Sequence, residues 1–130
     1  MIMQNKIDEE ANLLVRYLYF KSPTEAARTL ERLKVLKGKG EYSAGRFHAL
    51  QGIYNAAQRN DRDSLFLKIC SQYSVDEVLR IKNELARGLR SPVIDSFDRG
   101  FFEQWLQIID QVVKLRSEKP SQGFEASSPR

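Results

Sequence analysis

Apolar residues recur along this chain at intervals of three and four, the spacing of helices, and rarely alternate as in strands. Ile7, Ala11, Leu14 and Leu18 fall on one face of a first helix. It stops at Ser22-Pro23-Thr24-Glu25, where Ser22 is placed to accept from the Glu25 amide, Glu25 to reach back, and Pro23 to occupy a position that needs no N–H. A second helix is expected from about Pro23 to Lys37, with Ala26, Leu30 and Leu33 inward and Gly38 and Gly40 ending it. Ser43 is expected to cap a third, to about Asn60, with Phe47, Leu50, Tyr54 and Ala57 inward. After a turn at Asn60–Ser64, a short fourth helix carries Leu65, Phe66, Ile69 and Cys70. Ser74-Val75-Asp76-Glu77 is a second capping box and opens a fifth helix with Val78, Ile81 and Leu85, ending near Gly88. Ser91-Pro92 restarts the chain as a short helical turn through Ser96, and a last helix runs from about Asp98 to Arg116.

The fold class is therefore all-α, a single compact bundle of about six helices over residues 1–116. Residues 117–130, rich in Ser, Pro, Gly and charge, are expected to form a disordered tail. A shift of 52 residues brings Leu13 to Leu65, Ser22 to Ser74, Glu25 to Glu77, Arg28 to Arg80 and Leu33 to Leu85. At a slightly larger shift Phe47 and Ile53 meet Phe101 and Ile108. Either the chain is two three-helix halves, Ile7–Asn60 and Asp63–Arg116, or two capped amphipathic helices resemble each other because their signals are generic.

Composition narrows the function classes. Of 130 residues, 42% are hydrophobic and 29% charged, enough apolar material for one core. No apolar run approaches the roughly 18 residues of a membrane span. Asp8, Glu9 and Glu10 stand where a secretory signal would be basic. A cytoplasmic protein with no membrane association is expected. One cysteine, Cys70, excludes an intrachain disulfide and is expected to be a small buried hydrophobe; one histidine, His48, excludes a His-rich metal site or a paired-His centre. No metal, cofactor or catalytic residue is expected, and the chain is not expected to be an enzyme.

Lys and Arg number 21 against 17 acids, a net charge of +4. Arg28, Arg32, Lys34, Lys37, Lys39 and Arg46, opposed by Glu31 and Glu41, hold a surplus as large as the whole net charge. Such a cluster suits backbone phosphates, so a nucleic-acid-binding accessory subunit or regulator is one expectation. Cations also gather at helix C-termini on local grounds alone. Lys37-Gly38-Lys39-Gly40 is not a phosphate loop, since it follows a helix and is itself followed by Glu41.

Two surfaces suggest binding of protein. His48, Gly52, Asn55 and Arg59 form a stripe on the polar side of the third helix, where a bare glycine lets a partner approach closely or simply faces water. The last helix carries Phe101, Phe102, Trp105, Leu106, Ile108, Ile109, Val112, Val113 and Leu115 over half its circumference, and Leu13, Tyr17 and Phe20 fall off the main face of the first. Surplus apolar surface is either central core or an interface. The leading expectation is a small helical interaction module with a regulatory, adaptor or assembly role. It binds a protein partner or its own copy through Tyr17, Phe20, Phe101, Trp105 and Ile109.

Overall fold

In the computed structural model, which describes residues 2–118, six α-helices account for nearly all of the regular structure, and no strand occurs among these residues. They are α1 (Ile2–Tyr19), α2 (Pro23–Leu36), α3 (Glu41–Gln58), α4 (Leu65–Leu67), α5 (Val75–Gly88) and α6 (Ser96–Ser117). The short α4 continues directly as a π-helical turn, Lys68–Gln72. Ser117 closes α6, so the expected tail begins inside a helix, and its part from 119 onward lies outside the described residues. No helix of the described residues is long and apolar enough to cross a membrane.

Several ends follow local chemistry. Ser74 and Glu77 form a reciprocal capping box, at 3.1 Å from the Glu77 amide to the Ser74 hydroxyl and 2.8 Å in return. Asp95 accepts from the Asp98 amide at 2.8 Å, so α6 starts two residues before its expected start. Ser22 does not cap α2 through its side chain. Its backbone is committed to ending α1: Lys21 adopts φ 58°, and the Ser22 amide donates to the Tyr17 carbonyl at 2.8 Å. The same closure ends α3, with Asn60 at φ 51° and the Asp61 amide donating to Ala56 at 2.9 Å. Gly40, not Ser43, precedes α3, which starts at Glu41. Ser91–Asp95 forms a non-helical turn in place of the expected helical turn, and Ser96 already belongs to α6.

The core is organised by α3 and α6. A β-carbon on Gly45 would lie 2.0 Å from the Phe97 carbonyl oxygen, and one on Gly100 would lie 2.1 Å from the Tyr42 carbonyl oxygen. Each helix therefore touches the other's backbone, and only glycine fits at either point. From there Ala49 and Ile53 of α3 and Ile108 and Val112 of α6 continue into the core with Leu14, Leu33, Phe66 and Val78. This contact also widens the expected inward face of α3, whose Leu50 is buried and whose Phe47, Tyr54 and Ala57 pack against the core. Gly45, Arg46, Ala49, Leu50, Ile53 and Ala56 are buried, while Phe47, Tyr54 and Ala57 are only partly so. Close backbone approach draws in the small-residue face, which the spacing of large apolar residues does not mark.

Arg46 is buried at this junction. It donates to Asp8 of α1 at 2.7 Å and to Gln104 and Gln107 of α6 at 2.8 and 3.1 Å. Gln107 in turn donates to the Asp8 carbonyl at 3.1 Å and to Asn12 at 3.0 Å. A buried guanidinium persists only when its donors and charge are met, so this network fixes the first half of α1 on α3 and α6. Arg16, farther along α1, reaches Glu118 at 3.8 Å, so α1 and α6 run in the same direction. Arg46 meeting Gln104 and Gln107, beyond Gly45 on Phe97, places α3 parallel to α6 as well.

The helix limits repeat. Pro23–Leu36 shifted by 52 residues is Val75–Gly88, and the start of α3 at Glu41 shifted by 55 is Ser96. The latter offset also carries Tyr42 to Phe97 and Gly45 to Gly100, the four residues of the backbone contact; it keeps Ile53 on Ile108 but puts Arg46, not the expected Phe47, on Phe101. Two three-helix arrangements thus meet along α3 and α6. In the second, the α4 segment with its π turn (Leu65–Gln72) stands in the place of the 18-residue α1 and is less than half as long. Replacing Gly45 or Gly100 by Ala should destabilise the fold by on the order of 3 kcal/mol, because backbone must move on both sides. Urea denaturation measures this, and an unchanged midpoint in both variants would contradict the backbone contact.

Candidate functional site

A groove of about 220 Å³ follows α3 and α6. From α3 it is lined by His48, Ala49, Gly52, Ile53 and Ala56, from α6 by Phe101 and Trp105, and at one end by Ser64, Leu65 and Phe66. Ile53 and Phe66 are fully buried in the core and form a rigid floor, while Phe101 and Trp105 are partly exposed. The His48 ring lies 5.6 Å from Phe97 and 5.7 Å from Phe101, so it belongs to an aromatic wall and not simply to the wet side of α3. The Ser64 hydroxyl accepts from the Leu67 amide at 3.3 Å, and Asn55, next along the stripe, accepts from Gln51 at 3.1 Å. The lining is thus mostly apolar, with His48 its sole titratable side chain. It suits a dehydrated contact better than proton transfer, which needs a second positioned group.

Gly52 is the informative residue of this groove. A β-carbon there would meet nothing within 4 Å, in contrast to Gly45 and Gly100. Packing does not require a glycine, yet one in mid-helix costs about 0.5–1 kcal/mol relative to alanine. What its bareness does provide is open space beside Trp105 and Phe101.

The expected anchors do not share one face. Phe101 and Trp105 line this groove. Ile109 is 0% exposed and cannot anchor a partner, because it faces the core where α1, α3 and α5 pack on α6. Tyr17 lines a different groove of about 390 Å³ between the ends of α1 and α3, with Lys21, Pro23, Ala57, Asn60 and Leu67. Phe20 is 49% exposed, edge-on to Tyr19 and 5.3 Å below the Arg16 guanidinium.

The basic cluster is similarly divided. Arg46 is buried in the network described above and is not available to phosphate. Its place in the charge cluster reflects sequence proximity alone. Arg32 pairs with buried Glu10 at 2.9 Å and Lys34 with Glu31 at 3.2 Å. Lys37 lies 5.9 Å over the Phe47 ring, and Arg28 and Lys39 are exposed. Burial pushes the Cys70 thiol up to about 12, against the opposing pull of Arg116 and Lys21, so it is a protonated packing residue at neutral pH.

Searches of protein-family models, curated proteins and solved structures found no match to this chain. Replacing Gly52 by Ala should stabilise the protein by about 0.5–1 kcal/mol, since the helix gains and nothing is displaced. Thermal or urea unfolding checks this; a loss of stability would show that Gly52 is structural after all.

Proposed function

We propose that this protein is an interaction module that binds another protein through the groove at Gly52, with an adaptor, assembly or regulatory role. The observation that carries this reading is the pairing of a helix-weakening glycine, open above, with two partly exposed aromatics, Phe101 and Trp105, over a buried floor. Aromatic side chains beside a rigid concavity are the usual centre of a protein contact. Covering them removes apolar area worth about 25 cal/mol per Å² from water. Binding of nucleic acid has less support. Of its six cations, Arg46 is buried in the fold and Arg32 is paired with buried Glu10, leaving Arg28, Lys34, Lys37 and Lys39 at the surface.

Affinity capture by wild type, by Gly52→Arg and by the double variant Arg28→Glu/Lys39→Glu distinguishes the two. Arginine at position 52 enters the groove from an exposed helix site and leaves the core untouched. Captured proteins should fall at least about tenfold with Gly52→Arg, a loss of ~1.4 kcal/mol or more, and survive both the charge reversal and nuclease. Capture that ignores Gly52→Arg, or that nuclease abolishes, would overturn the reading.

A further inference from the structure

The internal repeat says what the groove is shaped to hold. The offset of 55 residues pairs Arg46 with Phe101, Leu50 with Trp105, Ala49 with Gln104 and Gly52 with Gln107. One member of each pair lines the open groove. The other members lie where the first half of α1 is seated: Asp8 bonds Arg46, Gln107 bonds Asp8 and Asn12, Gln104 shares the Arg46 network, and Ile7 lies with Arg46 and Leu50 around one small gap. The same local architecture therefore occurs twice, once covered by a helix and once open.

The chain shows why the second berth is open. The offset of 52 residues places Leu65 at the position of Leu13 and Ser64 at that of Asn12. The α4 segment, starting at Leu65 after its Ser64 cap, thus stands for the second part of α1, and nothing stands for the part up to Asn12. The missing length is about three helical turns, ~16 Å. We infer that the groove seats one amphipathic α-helix of another protein, about three turns long, parallel to α3 and with its C-terminal end at Ser64. This rests on the interaction reading above.

The pairs also specify the chemistry of that helix. Arg46 and Gln107, which hold α1 by polar bonds, and Gln104, which bonds both of them, correspond to Phe101, Gly52 and Ala49. The incoming face must therefore be apolar, with its bulkiest residue opposite Gly52. On the α3 side the rim is the stripe of His48, Asn55 and Arg59, which holds one cation, Arg59, and no acid, so an acidic flank on that side complements it. A second copy of this chain is the poorer occupant. Among the described residues, the exposed large apolar side chains on its helices are Val35 of α2, which stands alone, and Val75 and Leu79 of α5, one turn apart, which do not make a three-turn stripe.

Trp105 is the one tryptophan of the chain, so its emission reports on the groove directly. The probe is a lactam-bridged synthetic helix with leucine at i, i+4, i+7 and i+11 and glutamate on one flank. Two controls carry lysine in place of the glutamate, or the same residues with the stripe scrambled. The Leu/Glu helix should bind, shift Trp105 emission to the blue, and bind at least about tenfold more tightly than the lysine form. The scrambled peptide should be silent, and Gly52→Arg should abolish the response. No response to the Leu/Glu helix, while Gly52→Arg still removes captured proteins, would overturn the helix and leave the interaction reading standing. Loss of both would overturn both. A Trp105 shift that follows protein concentration alone, with dimer in sedimentation, would assign the groove to a second copy and overturn the inference.

Discussion

The reciprocal contact of α3 and α6 at Gly45 and Gly100 is the constraint on which the rest of this molecule depends. Two carbonyl oxygens occupy the space that two β-carbons would fill, so neither helix can slide or rotate without collision. Because the same element of each half makes the contact, the halves are related through it. Everything that packs along the α3–α6 pair then meets similar geometry on two sides. The difference between the sides lies in the side chains, and it decides which berth the chain fills for itself.

On the filled side, Arg46 converts a helix–helix groove into a specific seat. Its charge is met by Asp8, and it also donates to Gln104 and Gln107 of α6, the second of which binds α1 in turn. Removing Asp8 would take away the carboxylate that faces the buried guanidinium, which makes the seat selective for this segment. On the open side the corresponding positions are Phe101, Ala49 and Gly52, which impose shape and apolarity but no such pairing. On the proposed reading, such a seat can stand empty between partners, because an open apolar groove leaves no charge stranded.

Much of the fold was legible in the sequence. Helical spacing marks the elements, and Ser74 with Glu77 fixes the start of α5 to the residue. The 52-residue similarity matches the limits of α2 and α5. What could not be read has identifiable causes. Ser22 fails as a side-chain cap because the preceding helix claims its backbone through Lys21, a tertiary outcome invisible in the motif itself. The inward face of α3 is set by glycine and alanine, whose small size defeats a search for large apolar residues. Arg46 resembles its charged neighbours in every local respect, and only the arrival of Asp8 and α6 buries it. Of the groove, Gly52, Phe101 and Trp105 stood out in the sequence, but Ser64, Leu65 and Phe66 join them only through the turn that follows α3. The usable signal was a glycine in mid-helix with no turn to explain it.

The orientation of a bound helix tests the link between fold and groove most directly. A nitroxide at either end of the Leu/Glu helix would broaden the amide resonances nearest to it. With the label at the C-terminal end, Ser64 and Leu65 should be broadened; with the label at the N-terminal end, residues near His48 and Phe101 should be broadened instead, as the seating of α1 on the other side dictates. The reverse pattern, or broadening centred on the Tyr17 groove, would contradict the equivalence of the two berths.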